Sequence, residues 1–272
     1  MADCNPKRVP CNITPLGTNA NGARHSEGWD YASAIGMLMY LAGNGYPKIQ
    51  FSVHQCACFT HAPRANHTMA VKKIAHYLKG VLDAKQGLTF KAGQPPILDL
   101  FVDADYAGLW TYEDDQDPVC VKSRTGFVIT LGGCPVHWSS KLQSEITLST
   151  LEAEFIALAQ AMRELLPMQR KYDEMTKFFK LVKNGGTTRV KSTIWEDNNG
   201  CISTCRSPVL SLQTRHIAVK YHFVRNFFSP SGFKDHPFKL EKIDTKLQKA
   251  DIFTKGLSAD TFENLRKLMC GW

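Results

Sequence analysis

The sequence lacks any hydrophobic run long enough to cross a membrane. One of its longest apolar stretches, Ile35–Ala42, falls well short of the roughly 20 residues that a transmembrane helix needs. The start of the chain, Met1–Arg8, also lacks the apolar core of a secretory signal. We therefore expect an intracellular protein with no membrane partner.

Cysteine is too sparse and too scattered for a disulfide scaffold. The nine cysteines are an odd number in 272 residues, whereas disulfide-stabilised domains are short and dense in cysteine. Internal repeats and low-complexity tracts are absent as well. Hydrophobic residues make up 43% of the chain and charged residues 21%, which excludes a disordered or fibrous chain and predicts a globular protein with reduced thiols.

The net charge of +8 is unevenly distributed along the chain. Residues 97–154 hold ten acidic side chains and three basic ones, whereas residues 206–255 hold ten basic side chains and four acidic ones. This division favours a protein that holds cations at one place and phosphates at another. Two oppositely charged, solvated faces would produce the same pattern, and charge alone does not separate the two interpretations.

Hydrophobic periodicity divides the chain into three parts. Residues 1–28 are rich in Pro, Asn, Gly and Thr and predict a flexible lead-in. Residues 29–95 predict a small all-helical segment, and residues 96–272 an α/β domain in the order β-β-β-α-β-α-β-α. A long helix is expected from residue 149 to a kink or end at Pro167. Strands are expected at 97–102, 126–131, 135–138, 190–195 and 238–243, and shorter helices at 199–205, 218–228, 247–255 and 259–269.

Four acidic residues stand at the ends of these elements. Asp103 and Asp197 close two strands, Glu154 lies in the first turns of the long helix, and Asp251 follows the last strand. Reactive groups in open sheets collect beyond the carboxyl ends of strands. Carboxylates that converge there repel one another unless cations bind, and Asp and Glu oxygens select Mg²⁺ or Mn²⁺. For any one of the four, a helix cap or a surface charge is the simpler explanation.

The start of the long helix distinguishes its two glutamates. Ser149 and Glu152 have the capping-box spacing, in which each side chain satisfies a free backbone N–H group. That gives Glu152 a structural role. Glu154 has no such role and lies beside the apolar stripe, so we interpret Glu154 as the ligand.

Eight short motifs surround these acids and the basic stretch: Val102–Gly108, Ser123–Phe127, Trp138–Gln143, Ser149–Phe155, Glu196–Asn198, Arg215–Ile217, Tyr221–Arg225 and Ala250–Lys255. Together they resemble the ribonuclease H region of copia-type retrotransposon Pol polyproteins, which follows the reverse transcriptase. Upstream, four further features are similar to the thumb and connecting region of that reverse transcriptase: Tyr31–Leu41, Pro63, His67 and Tyr77–Gly80. The motifs stand in order over roughly residues 29–270.

The resemblance implies a ribonuclease H-like fold, a five-strand mixed sheet flanked by helices and preceded by a helical thumb-like segment. It also implies that Asp103, Glu154, Asp197 and Asp251 form a metal site with two Mg²⁺ ions, for which Mn²⁺ can substitute. Such a site cuts the RNA strand of an RNA–DNA hybrid. A longer polyprotein would add an upstream palm and fingers, and would place the chain in cytoplasmic virus-like particles or in the nucleus. The alternative is a truncated transposon remnant that binds nucleic acid or a partner without cutting.

Two features depart from the pattern of that family. A longer segment, Trp110–Val121, stands before Ser123, and Ala218 occupies a position where an acid is commoner. The second departure puts in doubt any metal or proton role near residue 218. Neither departure affects the four carboxylates.

Three other motifs have simpler explanations. Tyr112–Asp115 matches the Tyr-x-Asp-Asp signature of reverse transcriptase palms, but its flanks are polar and we expect an acidic loop without a complete polymerase. His54, Cys58 and His61 share a helix face, with Cys56 close by, yet no fourth ligand has the spacing of a zinc finger. We interpret this face as packing rather than as a zinc site. The Cys201–Cys205 pair has the same interpretation.

Polar and basic residues predict a wall that binds the hybrid. The stretch from Arg215 to Arg225 alternates bases with aromatic rings, which suits phosphate contact and also suits an amphipathic helix. Either His216 or His222 could transfer a proton to the leaving group, because imidazole titrates near neutrality. The full predicted set of contacts is Ser139, Ser140, Lys141, Gln143, Arg215, His216, Lys220, His222 and Arg225.

Overall fold

The computed structural model describes residues 4–84, 86–91, 93, 97–110, 120–179, 190–209 and 216–271. Its first elements are helical. Helix α1 spans Tyr31–Asn44, a 3-10 turn spans Pro47–Ile49, α2 spans Gln50–Ala57, and α3 spans Ala65–Asp83. Asp30 caps α1, because its side chain accepts a hydrogen bond from the Ser33 N–H group at 2.8 Å. The predicted helical segment is therefore present.

Five strands form one mixed sheet in the order β3-β2-β1-β4-β5. The strands are β1 (Leu98–Asp105), β2 (Arg124–Leu131), β3 (Cys134–Leu142), β4 (Ser192–Glu196) and β5 (Phe238–Lys242). The β1–β2 and β2–β3 pairs are antiparallel, whereas β1–β4 and β4–β5 are parallel. Gly132 and Gly133, both with positive φ, make the turn between β2 and β3. This mixed sheet is the ribonuclease H-like arrangement expected from the sequence.

Helix α4 spans Thr150–Phe178 and continues through Pro167, so of the kink or end expected there the end is wrong. Pro167 is exposed, so water can reach the carbonyl that its missing N–H group leaves unbonded. Packing holds the helix on both sides of the proline. Leu165 is buried before it, and the Gln169 amide after it donates to the Val190 carbonyl at 2.5 Å.

The remaining elements are short, except for the last helix. Helix α5 spans Asn199–Arg206 and α7 spans Ala259–Cys270. A single helix was expected over 218–228, but the structure has a 3-10 helix at Val219–Val224 followed by α6 at Arg225–Phe228. The expected helix at 247–255 is likewise two 3-10 turns, Thr245–Leu247 and Lys249–Phe253.

The two faces of the sheet are covered by different parts of the chain. Alternate residues of β1, such as Leu100 and Val102, pack with α4 and α5 in one core. Phe101 points to the other face and belongs to a core that includes α1, α2, α3 and α7. The Trp138 indole N–H donates to the Ala42 carbonyl at 2.8 Å and links β3 to α1. The N-terminal helices therefore share one hydrophobic core with the sheet.

The described part of the lead-in is irregular, and backbone hydrogen bonds attach it to α3 and the loop before it. The Lys7 N–H group donates to the His76 carbonyl at 3.3 Å, and the His25 N–H group donates to the Pro63 carbonyl at 3.0 Å. The flexibility expected for this segment stays a prediction. Among the described residues, the helices include none with the length and apolar character needed to span a membrane.

A candidate metal centre at the ends of two parallel strands

Two neighbouring parallel strands bring the first two predicted carboxylates together. Asp103 lies near the end of β1, and Asp197 directly follows β4. One carboxylate oxygen from each of Asp103, Glu154 and Asp197 lies within 4.8 Å of the other two. Asp103 and Glu154 are buried and Asp197 is half-buried. Three of the four predicted ligands therefore converge on one point.

The cap of α4 places Glu154 in this cluster and leaves Glu152 outside it. Ser149 Oγ accepts the Glu152 N–H group at 3.2 Å, as the capping spacing predicts. The Glu152 carboxylate accepts from the Leu148 N–H group at 2.7 Å, one residue before the position that a capping box uses. Its Oε2 also lies 3.2 Å from His216 Nε2. Glu152 is thus occupied by the helix start and its neighbours.

Asp251 stands beside the cluster through a shared lysine. Lys255 Nζ is 3.0 Å from Asp251 Oδ1 and 3.6 Å from Asp103 Oδ2. The Thr254 hydroxyl also donates to Asp103 Oδ2. Asp251 does not belong to the group of three converging oxygens, so the structure sets it next to the other predicted ligands rather than among them.

Burial and mutual repulsion raise the pKa values of these acids. Burial raises the pKa of Glu154 to about 11, with further contributions from Glu196 and Asp103. Burial and the charge of Asp103 raise the pKa of Asp251 to about 7, and Lys255 opposes this shift. The pKa of Lys255 is itself raised because Asp103 and Asp251 outweigh the opposing effect of burial. Without a further cation, the site therefore favours bound protons at neutral pH.

Glu196 is a buried acid that the sequence analysis did not single out. Its side chain has no exposed surface, and Oε1 accepts the Asn198 N–H group at 3.0 Å. Burial raises its pKa well above the ordinary value, and Asp197 and Asp103 add to this. The signal was present in the alternation of β4, where Ser192, Ile194 and Glu196 are the buried positions. The shared lysine, Lys255, was missed too.

The donor set fits hard divalent cations. Glu154 Oε2 and Glu196 Oε2 are buried and have no hydrogen-bond partner among the described residues. Unpaired carboxylate oxygens in a buried site are costly, and a cation offsets that cost. Clustered oxygen ligands suit Mg²⁺ and Mn²⁺. Among the described residues, these three carboxylates are the His, Cys, Asp or Glu side chains whose ligand atoms lie close enough together to share a metal ion.

The predicted basic wall is partly occupied by internal contacts. Lys220 Nζ donates to the Glu145 carboxylate, and Arg225 Nη2 donates to the Ser207 carbonyl at 2.6 Å. His222 Nε2 lies 3.3 Å from the Ile217 carbonyl, and its ring packs 5.3 Å from that of Phe155. The predicted contact at residue 215 lies outside the described residues, as does the acidic loop at 112–115.

The four predicted nucleic-acid contacts on and after β3 differ in how far their side chains are buried. Ser140 and Gln143 are buried. Ser140 Oγ accepts from Arg124 at 3.2 Å, and the Gln143 amide donates to the Ala153 carbonyl at 2.9 Å. Ser139 is half-buried and Lys141 is exposed. We therefore narrow the proposed nucleic-acid contacts on this strand to Ser139 and Lys141.

His54 lies on α2 beside the sheet, whereas Cys58 and His61 follow the end of α2 at Ala57 and are exposed. His54 Nδ1 lies 3.4 Å from Arg124 Nη1. Burial lowers the pKa of His54 to about 4, and Arg124 contributes to the shift. Cys56 belongs to the core shared by α1–α3 and the sheet. The packing interpretation therefore holds for His54 and Cys56, and the shared helix face expected for Cys58 and His61 is not formed.

Comparison with curated proteins relates the chain to transposon polyproteins. It is 30% identical over 264 residues to the retrovirus-related Pol polyprotein from transposon RE1 of Arabidopsis thaliana, covering 97% of this chain and 16% of that protein. It is 32% identical over 239 residues to the corresponding polyprotein from transposon TNT 1-94 of Nicotiana tabacum, covering 88% of this chain and 16% of that protein. No protein-family model matches the chain.

Comparison with solved structures returns the N-terminal RNase H domain of a Mycobacterium tuberculosis protein, solved as a fusion with maltose binding protein. The match covers 63% of this chain and 97% of that one, at a TM-score of 0.35 and 11% identity. The order and direction of the five strands define the fold.

The sheet order and the acidic cluster define an α/β protein of the ribonuclease H-like class. Within that class, the chain is a homologue of one segment of the retrovirus-related Pol polyproteins of transposons. It spans about one sixth of the length of those relatives.

Proposed function

We propose that the chain is a metal-dependent ribonuclease that cuts the RNA strand of RNA–DNA hybrids during retrotransposon reverse transcription. The observation that carries this proposal is the convergence of Asp103, Glu154 and Asp197 within 4.8 Å at the end of a ribonuclease H-like sheet. The homology to transposon Pol polyproteins supports the same function.

Asp103, Glu154 and Asp197 would hold divalent cations, with Asp251 as the fourth ligand and two Mg²⁺ or Mn²⁺ ions as the proposed complement. When bound, such ions supply positive charge that activates water and stabilises a phosphodiester under attack. The chain's own part is to keep the ligands in position. Thr254 and Lys255 hold Asp103, and the cap of α4 fixes the turn that carries Glu154.

Lys255 has a second effect in this proposal. It screens the repulsion between Asp103 and Asp251, which are buried close to each other. Of the two candidate histidines, His216 is the one with a substantially exposed side chain, at 42%. His216 is therefore the better placed of the two to exchange a proton with a leaving group.

The rest of the chain would bind the hybrid and neighbouring domains. We propose Ser139, Lys141 and Lys220 as backbone contacts, with recognition of RNA by its 2′-hydroxyl groups and by hybrid shape. The helices α1–α3 would correspond to the thumb and connecting region, next to an upstream palm and fingers in a longer polyprotein. The site of action would be a cytoplasmic virus-like particle or the nucleus.

A non-catalytic remnant is the second candidate. A module that only binds nucleic acid or a partner needs no metal site, and the exposed Lys141 would serve it as well as it serves a nuclease. The buried, mutually repelling carboxylates favour the nuclease, because a binding module gains nothing from them.

Cleavage of a labelled RNA–DNA hybrid, beside a DNA duplex of the same sequence, tests the proposal. We expect cuts that depend on Mg²⁺ or Mn²⁺ and occur in the RNA strand alone. The Asp197→Asn variant should bind the hybrid without cutting it, and Asp260→Asn, at an exposed position on α7, should cut normally. If the folded protein binds the hybrid but never cuts it with either metal, the nuclease proposal is wrong and the chain is a non-catalytic remnant.

A further inference from the structure

A cavity of about 480 Å³ lies between the lead-in, α2 and the ends of β1 and β2. Apolar side chains line it, among them Leu16, Phe51 and Phe59. Charged side chains line it as well, including Arg124 and Lys122. Its volume falls within the range of small-molecule sites, roughly 300–1,000 Å³. The cavity is therefore large enough for a small ligand that has both apolar and charged groups.

Arg124 is a buried cation at this cavity, with 7% of its surface exposed. It donates to Ser140 Oγ at 3.2 Å and lies over the Phe51 ring at 5.3 Å. Its other neighbours are the His54 ring, whose pKa is lowered by burial and by Arg124, the Cys58 side chain, which shares a hydrogen bond with it, and the charge of Asp105. Among the described residues, no carboxylate lies within ion-pair distance of Arg124. The charge of Arg124 is therefore only partly offset inside the protein, and an anion in the cavity would complete the compensation.

The cavity adjoins the carboxylate cluster. Lys255 lines the cavity and also contacts Asp103 and Asp251. Asp105, two residues after Asp103 on β1, lines it as well and opposes an anion. Lys122 and Arg124 together outweigh that single negative charge, and Lys255 is already engaged by its two carboxylates.

We propose that this cavity binds one nucleotide, with its phosphate at Arg124 and Lys122 and its base against Phe51 and Phe59. Guanidinium groups bind phosphate oxygens in a bidentate manner, and aromatic rings offer apolar surface to any base. The identity of the nucleotide rests on the proposed nuclease function. In that case it belongs to a bound nucleic-acid strand and lies beside the phosphodiester that is cut. The site would then help to anchor that strand next to the metal ligands.

Binding of adenosine 5′-monophosphate to the full chain in EDTA, followed by calorimetry or ligand-observed NMR, tests the site without metal or cleavage. We expect measurable binding, with adenosine and inorganic phosphate each at least tenfold weaker. Arg124→Gln should weaken the nucleotide at least tenfold, and Asp105→Asn should strengthen it. Arg170→Gln removes the same charge at an exposed position on α4 and should change nothing.

Because Arg124 is buried, its loss could also disturb folding, so a second variant fills the cavity from its rim. Ile13 lines the cavity but is 65% exposed, and Ile13→Trp should block the nucleotide in a protein that unfolds at the same temperature. Absence of nucleotide binding, or binding that survives both Arg124→Gln and Ile13→Trp, overturns the proposal. Equal affinity for phosphate and nucleotide also overturns it, because the apolar wall would then contribute nothing.

Photo-crosslinking distinguishes a strand nucleotide from a free one. An RNA strand carrying 5-bromouridine, annealed to DNA, should cross-link to a peptide containing Phe51 or Phe59, and adenosine monophosphate should suppress the cross-link. Nucleotide binding without any such cross-link shows that free nucleotides alone enter, and the strand part of the proposal is then wrong. Nucleotide binding by a protein that never cuts hybrids leaves the cavity proposal intact while refuting the nuclease, so the two failures are distinguishable.

Discussion

The carboxylate cluster and the basic segment at residues 216–225 differ in whether their charged side chains have partners inside the protein. In the cluster, Asp103 and Glu154 are buried, and Glu154 Oε2 has no hydrogen-bond partner among the described residues. In the basic segment, Lys220 and Arg225 are engaged by Glu145 and Ser207. Charges that lack internal partners require external ones, whereas charges that are already paired gain little from a ligand. The cluster should therefore be much more sensitive to mutation than the basic segment.

The largest effect is expected from the cluster itself. Replacing Asp103 or Asp197 by Asn should lower RNA-strand cleavage by more than about 100-fold, since losing outer partners of a metal site already costs 10–100-fold. Hybrid affinity should persist or improve, because a repulsion is relieved. Gel assays of cleavage and filter binding on the same preparations measure both. Cleavage at the normal rate in a folded Asp197→Asn variant would contradict the assignment.

The pH dependence of stability should expose the raised pKa of Asp251. Folded Asp251 holds its proton up to about pH 7, whereas an ordinary Asp loses it near 3.8. The folded state binds more protons between these values, so in EDTA this residue makes stability fall as pH rises, with a slope of up to about 1.4 kcal/mol per pH unit. Denaturant unfolding at several pH values should show this slope reduced in Asp251→Asn.

Mg²⁺ provides the control for that experiment. If cations replace the protons, stability at pH 8 should recover in Mg²⁺ for the wild-type chain and recover less for Asp251→Asn. A slope that is the same in both proteins would show that Asp251 is not perturbed.

Glu152 separates the helix start from the metal site. Glu152→Ala should lower the free energy of unfolding by about 1 kcal/mol and leave cleavage largely intact, because it removes a capping partner rather than a ligand. Glu174→Ala, at an exposed position on the same helix, is the matched control for stability. Loss of cleavage in a folded Glu152→Ala variant equal to that in Glu154→Ala would show that the two glutamates were assigned the wrong way round.

The smallest effect is expected in the basic segment. Each phosphate contact contributes about 0.7–0.9 to the slope of log affinity against log salt. Lys220→Ala should change this slope by less than the contribution of one phosphate contact, because Lys220 already pairs with Glu145. Lys141→Ala removes an exposed lysine with no ion pair among the described residues. It should change the slope by about the full contribution of one phosphate contact. Equal changes would erase the difference between paired and unpaired charges.

Local patterns were enough to predict much of this structure. Hydrophobic periodicity and capping signals predicted the element order and the start of α4 after Ser149. The placement of Asp103 and Asp197 near strand ends predicted that they meet, because β1 and β4 are parallel neighbours. The assignment of all four acids as ligands, with Asp251 among them, stays a prediction.

Features that depend on distant contacts could not be predicted in the same way. Glu145 and Lys220 are 75 residues apart in sequence, and nothing local indicates that they pair. The burial of Gln143 depends on the carbonyl of Ala153 in the following helix. The 3-10 helix at Val219–Val224 has an apolar spacing that also fits an α-helix, so periodicity alone misassigned it.

The proposed nuclease depends on joint binding of a divalent cation by Asp103, Glu154 and Asp197. Electron paramagnetic resonance of Mn²⁺ titrated into the full chain at neutral pH measures this binding without substrate, because free and bound Mn²⁺ give different signals. We expect saturable Mn²⁺ binding that is lost in Asp103→Asn and Asp197→Asn and retained in Asp260→Asn. Absence of binding by the wild-type chain, or unchanged binding by Asp197→Asn, would show that these carboxylates do not form a metal site.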